Sequence, residues 1–316
     1  MSTLSAQGSA PGSAQGSAPA PAPAARRGAS REVVERRILA VLRPIVIVLL
    51  LIAAVFPFYY MVVLSFRPLA DVLQDPGALW PKAGEIDLST YTSVLRPVED
   101  GGQGFLVFLR NSLGVSLGTV VLTLLVSLPG AYAVSRLEFF GRRQIGAVFL
   151  GVYFFPAILL AIPLFSFYSQ IGLRGSLIGL MIVYVAQTAA VSIYTLRNYF
   201  DTIPASLEEA AAVDGCTRLQ AMRLVSLPLA LPAIVSNALF IFMIAWNEFL
   251  FALLFLVEER DRWTVSLGLS QLSGSIEVPT TVLMAGSVIL TLPIVVLFFL
   301  SERWLAGGLT AGAEKG

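Results

Sequence analysis

The sequence predicts an all-α, polytopic membrane protein with six transmembrane helices. The 316-residue chain is 56% hydrophobic and 13% charged, with a mean hydropathy of +0.80, whereas soluble domains contain about 25% charged residues. Because a charge at the bilayer centre costs about 2.5–3.5 kcal/mol, uncharged windows locate the spans. Each window can hold the roughly 20 residues that cross about 30 Å of hydrocarbon, and only the fifth contains a charge, Glu248. The windows are 44–66, 111–135, 144–173, 175–196, 224–257 and 278–301.

The segment before the first span has low complexity. Residues 1–30 are mostly Ser, Ala, Gly, Pro and Gln, and GSAPGSAQGSAPAPAPA nearly repeats itself. Such a segment buries too little apolar surface to offset its ordering entropy, so we predict that it is disordered. The first apolar run begins near Ile45 and is too long for a cleaved signal core, which favours an uncleaved signal anchor. A membrane domain at 31–307 and a C-terminal tail at 308–316 follow.

The basic residues predict the orientation, because Lys and Arg near helix ends stay on the cytoplasmic side. Placing the N-terminus inside puts 14 of the 21 basic residues on the cytoplasmic side. Both termini, and the segment at about 201–228, are then cytoplasmic. On the other side, residues 88–91 are expected to form a small helix or strand, and 258–279 a polar loop able to meet a soluble partner. Pro156 and Pro163 are candidates for bends near a transport pathway.

The composition excludes several kinds of site. The chain has no histidine, so His-based metal sites and catalytic triads are excluded, and the single cysteine, Cys216, cannot form an intrachain disulfide. Neither Lys82 nor Lys315 follows a glycine, so the G-K-[ST] of a phosphate-binding loop is absent. A net charge of +1 gives no reason to expect nucleic acid. We therefore expect no catalytic site, no metal and no cofactor on this chain.

The most informative segment is a polar hairpin between two apolar windows. Ser206 and Glu209 have the spacing of a capping box, which predicts a short helix from about residue 207. Gly215 then suits a left-handed helix end, and Thr217 with Gln220 can cap a second helix. Helices shorter than about 12 residues are marginal alone in water. The hairpin is thus either an ordinary connector or, as the caps and the glycine favour, an element that docks on a partner.

Glu248 is a candidate for the substrate path, because an ionisable residue inside a membrane span is usually functional. Its neighbours Trp246 and Asn247 offer an aromatic face and an amide, the chemistry that sugars bind. Alternatively, Glu248 lies near the membrane surface, where it is solvated or bridges to a partner. Three weaker candidates, for which interhelical hydrogen bonding is the favoured role, are Gln187, Thr188 and Asn237.

The stretch EEAAAVDGCTRLQAMRLVSLPLALP, residues 208–232, resembles the cytoplasmic signature of binding-protein-dependent ABC importer permeases. Four further stretches are similar to the maltose-type carbohydrate permeases, although Glu314 departs from that pattern. They are Tyr91 with Asn111 and Ser112, GAYAVSRLEFFGRR (130–143), AWNEFLFAL (245–253) and GLTAGAEKG (308–316).

The resemblance implies that the hairpin is a coupling helix lying in a groove of a separate ATPase subunit. The coupling residues would be Glu208, Glu209, Ala210, Ala211, Asp214 and Gly215. Glu209 would bond to the ATPase. Alternatively, Glu209 only caps its own helix, which is compatible with a coupling role of the hairpin. The tail would reach between the ATPase subunits through Leu309, Thr310 and Gly312.

The sequence is thus interpreted as the permease subunit of an ABC importer for a sugar or oligosaccharide, in a bacterial or archaeal cytoplasmic membrane. The resemblance implies ABC ATPase subunits, a second permease subunit and an extracytoplasmic solute-binding protein as partners within the lipid bilayer. The alternatives are an importer of a non-sugar solute, an ion-gradient transporter or channel, and a membrane-embedded hydrolase. Several buried carboxylates or matching half-helices would favour the ion-gradient transporter.

Overall fold

The computed structural model is all-α over the residues that it describes, which are 26–82, 84, 86–153, 155–275 and 278–313. Residues 1–25 of the predicted disordered tail lie outside this set. Residues 26–30 of the predicted disordered tail belong to the first helix. The helices are α1 (Arg26–Ser65), α2 (Leu69–Gln74), α3 (Ser89–Leu95), α4 (Phe105–Arg136), α5 (Arg142–Tyr153), α6 (Ala157–Gln170), α7 (Leu177–Phe200), α8 (Ala205–Val213), α9 (Arg218–Ala221), α10 (Leu227–Leu229), α11 (Leu231–Asn247), α12 (Leu250–Leu256), α13 (Val265–Ser273) and α14 (Thr280–Ala313).

The chain divides into two units, one ending at Pro57 and the other beginning at Phe58. The described part of the first unit is helical and belongs to α1, whose side chains from Ile38 to Phe56 are largely exposed, as expected of a helix surrounded by lipid. In the second unit, Arg67 is fully buried and donates to the backbone oxygens of Asp71 and Asp75. These bonds fix the short helix α2 against the end of α1.

Four described helices are long and apolar enough to cross a membrane. They are Glu35–Ser65, Phe105–Arg136, Leu177–Phe200 and Thr280–Trp304. A fifth crossing results if Arg218–Leu229 and Leu231–Asn247, which meet at a bend of 76°, form one span.

The third predicted window, 144–173, is not one continuous helix. It consists of α5 and α6, with Pro156 as the residue that precedes α6. Proline lacks an amide proton and disfavours helical geometry in the residue before it, which explains the break at this point. The fifth window is likewise interrupted, at Ala230 and again at Glu248.

The centre of the second unit is the pair α4 and α7, with α11 packed against both. Small hydroxyl side chains on α4 are buried along this interface, which allows close approach of the helices. They are Ser112, Ser116, Thr119, Thr123 and Ser127. Thr123 and Thr188 share a hydrogen bond of 2.9 Å, and Asn237 donates to Thr195 at 2.9 Å. Thr188 and Asn237 therefore make the interhelical bonds predicted for them.

The connecting segments contain more helix than the sequence indicated. Residues 88–91, expected as a helix or a strand, belong largely to α3. Within 258–279, Val265 and Leu267 of α13 are fully buried, and Asn111 donates to the backbone oxygens of Asp261 and Trp263. Describing 258–279 as a polar loop is wrong for α13, because the alternating small and apolar residues of that helix pack on α4 and α14.

Candidate functional site: the α8–α9 hairpin and an intramembrane cavity

The hairpin between α7 and α11 forms two short helices joined at Gly215. Gly215 has φ of +88°, in the left-handed region that glycine adopts without strain. Thr217 and Gln220 form the predicted capping box, with each side chain accepting from the other's backbone amide. The two local predictions that place the turn and the start of α9 are confirmed.

The predicted capping box of Ser206 and Glu209 is wrong. Helix α8 begins at Ala205 directly after Pro204, and no side chain caps its first turn. Ser206 therefore lies inside the first turn, where it cannot act as an N-cap. Proline just before the helix already fixes the backbone angle there and lacks an amide that would need a partner.

Glu208 is tied inward by three side chains. Its Oε1 accepts from Nε of Arg136 at 2.9 Å and from the hydroxyl of Ser226 at 2.6 Å. Its Oε2 accepts from the hydroxyl of Tyr132 at 3.0 Å. The side chains of Glu208 and Arg136 are each 14% exposed. The carboxylate therefore joins α8 to the end of α4 and to the segment before α10.

These contacts keep Glu208 ionised. Burial raises the pKa of the carboxyl group, but the hydrogen bonds from Ser226, Arg136 and Tyr132, with the positive charge of Arg136, outweigh burial and hold the pKa below its usual value. A group of lowered pKa stabilises the folded state above its unfolded pKa, and that stabilisation is lost as the pH falls through the folded pKa. The carboxylate of Glu208 is thus ionised at neutral pH.

The hairpin also has a solvent-exposed surface, apart from the side chain of Glu208. Glu209, Ala210, Asp214 and Gly215 are exposed, and Ala211 is partly exposed. Apolar side chains accompany them: Val213 is 87% and Leu219 is 52% exposed. An exposed apolar and acidic surface of this kind is typical of a protein contact.

The hairpin leads into an irregular, bent segment. A π-helix covers Met222–Ser226, and α10 then ends at Leu229 before the 76° bend into α11. π-Helical turns are rare and are frequent at functional sites. Ser226, the last residue of this turn, is fully buried and is the residue that donates to Glu208.

Glu248 lies at the break between α11 and α12. Its carboxylate accepts from the Tyr184 hydroxyl at 2.6 Å and from the backbone amides of Phe251 and Ala252 at 2.9 and 3.2 Å. The side chain thereby satisfies backbone donors of the interrupted helix. It does so inside the protein, next to the core cluster that contains Tyr184 and Phe251.

Trp246 does not offer an open aromatic face. It is fully buried, stacks on Phe242 with ring centroids 5.3 Å apart, and donates to the backbone oxygen of Leu290 at 2.9 Å. Its ring is therefore covered by other side chains of this chain, and its role in the substrate path stays a prediction. Asn247 is exposed and donates to the backbone oxygen of Met243 at 2.9 Å. The substrate-path roles of Asn247 and Glu248 stay predictions.

A cavity of about 1020 Å³ is lined by residues of α5, α6, α7, α11 and α12. Its wall is mainly apolar, and Tyr168, Gln187 and Thr188 contribute polar groups. Sequence reasoning missed this cavity because five separate helices form it, although Gln187 and Thr188 were among the weaker candidates and Pro156 lies in its wall. Other lining residues are Leu160, Leu164, Ile182, Phe240 and Ile244.

The C-terminal segment is helical where it is described. Residues 308–313, which include Leu309, Thr310 and Gly312, continue α14, and 314–316 lie outside the described residues. The contact of this segment with the ATPase subunits stays a prediction.

The family model for the inner membrane component of binding-protein-dependent transport systems matches residues 127–310, and the chain belongs to this family. It is 39% identical over 287 residues to the trehalose/maltose transport system permease protein MalG of Thermococcus litoralis, covering 90% of this chain and 99% of that protein. It is 38% identical over 268 residues to the inner membrane ABC transporter permease protein YcjP of Escherichia coli, covering 85% and 94%.

Among solved structures, the chain is similar to a chain of a bacterial ABC transporter involved in the import of the acidic polysaccharide alginate. The TM-score is 0.74 at 25% identity, covering 85% of this chain and 97% of the other. The predictions of an ABC importer permease, of a transport subunit in place of an enzyme, and of a multi-pass inner-membrane protein are confirmed.

Proposed function

We propose that this chain is the permease subunit that carries a sugar or oligosaccharide through an ATP-driven importer. The MalG relative is named for trehalose and maltose, and the similar solved transporter imports a polysaccharide. The observation that carries the proposal is the family match over 127–310, because this range contains both the hairpin and most of the cavity wall.

The proposed arrangement has six membrane crossings, with the termini and the hairpin in the cytoplasm. α5 and α6 together make the third crossing, because the 14 residues of α6 extend only about 21 Å at 1.5 Å per residue. The bent segment from α9 to α12 makes the fifth. The excess of basic residues, 14 of 21 on the hairpin side, supports this orientation.

The hairpin is the proposed contact with the ATPase. Glu209 and Asp214 bring negative charge to an exposed surface, and Ala210 and Ala211 are small enough for a partner to approach closely. Gly215 turns the chain so that α8 and α9 share this surface. Leu309, Thr310 and Gly312 would add a second contact. Transport then follows from ATP-driven closure of two ATPase subunits, which moves the hairpin and reopens the pathway to a loaded solute-binding protein.

The cavity is the proposed contribution of this chain to the sugar pathway, completed by a second permease subunit. Its volume of about 1020 Å³ lies at the upper end of the roughly 300–1,000 Å³ of small-molecule sites. An apolar wall with few polar groups suits a molecule that must pass through without binding tightly. Gln187 is the residue of the wall best able to bond a sugar hydroxyl.

Reconstitution tests this proposal. The chain is assembled in liposomes with the partner permease, the ATPase subunits and the solute-binding protein, and uptake of labelled trehalose, maltose and longer oligosaccharides is measured. We expect uptake that requires ATP inside the liposome and persists when proton and sodium gradients are dissipated. Uptake that requires an ion gradient and no ATP would contradict the proposal, and ATP-driven uptake of a non-sugar solute alone would correct the substrate class.

A further inference from the structure

The inward contacts of Glu208 affect how movement of the hairpin passes to the membrane helices. By chain connectivity alone, a push on α8 reaches only α7, which precedes the hairpin, and α11, which follows it. Glu208 adds a noncovalent link to α4, which lies 72 and 76 residues away in the sequence at Arg136 and Tyr132. α4 forms the central packing pair with α7.

Several further contacts connect the end of α4 to α8 and to the residues before it. Arg136 uses Nε for Glu208 and Nη2 for the backbone oxygen of Ile203, at 2.7 Å, so one guanidinium holds both α8 and the residues before it. Ser135 donates to Asp201 at 2.5 Å. The ring of Tyr132 meets Phe200 edge-on, with centroids 5.9 Å apart.

The end of α4 is also held by Arg142, a residue of α5. Arg142 donates to the backbone oxygens of Val134 and Ser135 at 2.6 and 2.7 Å, which satisfies two carbonyls of the last helical turn. The α4 terminus is therefore a fixed point and not a frayed end. Because this helix end is held, a bond made to it can transmit both a push and a pull from the hairpin.

The third partner of Glu208, Ser226, extends the link to the π-helical turn. Its hydroxyl donates to the same Oε1 that accepts from Arg136. A buried charge pair is sensitive to the loss of one member, because the remaining charge is left without compensation. Loss of a neutral donor is milder and leaves the pair in place.

We infer that Glu208 is a positioning residue that fastens the hairpin to the end of α4 and to the π-helical turn, so that these three segments move as one body during transport. This inference rests on the proposed coupling function. It separates two adjacent glutamates: Glu209 faces the partner, whereas Glu208 carries the movement of the hairpin to the membrane helices.

The test is a distance measured between the hairpin and the end of α4 in the assembled, full-length complex. Cys216 is the only cysteine and lies in the hairpin, so it takes one spin label, and Glu138→Cys, at an exposed position just after α4, takes the other. We expect one narrow distance distribution that is the same without nucleotide and with a non-hydrolysable ATP analogue. A wild-type distance that changes between these two states would overturn the inference.

Loss of the link is tested with Tyr132→Phe combined with Ser226→Ala. These changes remove two hydroxyl donors and keep the Glu208–Arg136 pair, the Tyr132 ring and the exposed surface of the hairpin. We expect a broadened distance distribution and a fall of roughly fivefold or more in sugar transported per ATP hydrolysed. If the combined variant does not accumulate, the two single changes are measured separately, with smaller effects in the same direction.

Glu138→Gln is the matched control, because it alters an exposed carboxylate near the same helix end, and it should transport normally. Normal coupling in both hydroxyl variants would overturn the inference while leaving the proposed function intact. If the wild-type chain neither assembles with an ATPase nor transports with ATP, the proposed function itself fails, and the inference fails with it.

Discussion

The hydroxyl of Tyr184 lies 2.6 Å from the carboxylate of Glu248, and the same carboxylate accepts from the amides of Phe251 and Ala252. α7 is thereby bonded to the break between α11 and α12. The arrangement explains how a charged residue is accommodated in an otherwise uncharged window: its bonds go to backbone donors that the break exposes.

Glu248→Ala should lower the free energy of unfolding by more than Tyr184→Phe does. The first change leaves two backbone amides and a hydroxyl without their acceptor, and each unsatisfied buried group costs about 1–3 kcal/mol. The second leaves the carboxylate with its backbone donors. Thermal unfolding in detergent measures both, with Asn247→Ala as the control, since Asn247 is exposed and bonds only within its own helix in the structure. Equal midpoints for Glu248→Ala and wild type would contradict a capping role.

Local features of the hairpin could be predicted from sequence, because the interacting residues are close in the chain. Gly215 and the Thr217–Gln220 box depend on a few neighbouring residues, and both predictions are confirmed. The Ser206–Glu209 box has the same spacing but is wrong, since α8 begins at Ala205, directly after Pro204 and two residues earlier than predicted. A spacing pattern therefore predicts a cap correctly only where the helix begins at the expected residue.

Contacts between distant residues could not be predicted in this way. Hydropathy located the four spans that the described helices support, but not the break at Pro156, because an interrupted helix can be as apolar as a continuous one. Nothing near Glu208 in the sequence indicates that its partners are Tyr132 and Arg136, and the apolar neighbours of Trp246 did not reveal that Phe242 covers its ring. The cavity has no sequence signal, since its wall comes from five helices.

Gly268→Ala should destabilise the packing of α13 on α4. A Cβ at Gly268 would lie 2.4 Å from Cδ2 of Phe108, a buried ring with little room to move. Overpacking of this kind costs about 1–3 kcal/mol. Gly114→Ala on α4 is the matched control, because nothing lies within 4 Å of a Cβ at that position. We expect a lower thermal midpoint for the first variant only; equal midpoints would show that Phe108 can move aside.

Thiol labelling tests the proposed orientation. Ser273→Cys, at an exposed position at the end of α13, should react with an impermeant reagent applied to intact cells. Native Cys216 should react only after the membrane is opened, because the hairpin is on the cytoplasmic side. Labelling of Ser273→Cys is measured in a chain that also carries Cys216→Ser, so that the introduced cysteine is the only thiol. Labelling of Cys216 in intact cells would contradict both the orientation and the docking of the hairpin on an ATPase.

Deletion of residues 308–316 should reduce transport while the amount of protein in the membrane stays unchanged. The described part of this segment is a continuation of α14, so the deletion shortens a helix beyond its membrane span and leaves the packed part in place. Transport and membrane level are measured in the same cells. Full transport by the shortened chain would show that the segment makes no productive contact with the ATPase.

Substrate-stimulated ATPase activity of the assembled complex tests most directly whether the exposed surface of α8 and α9 couples ATP hydrolysis to transport. Glu209→Lys reverses a charge on that surface, and Gly215→Pro cannot adopt the φ of +88° that the turn requires. Glu138→Lys is the control, with the same charge reversal on an exposed residue outside the hairpin. We predict that both hairpin variants reach the membrane and lose the stimulation, while the control keeps it. Wild-type stimulation in both hairpin variants would contradict the account.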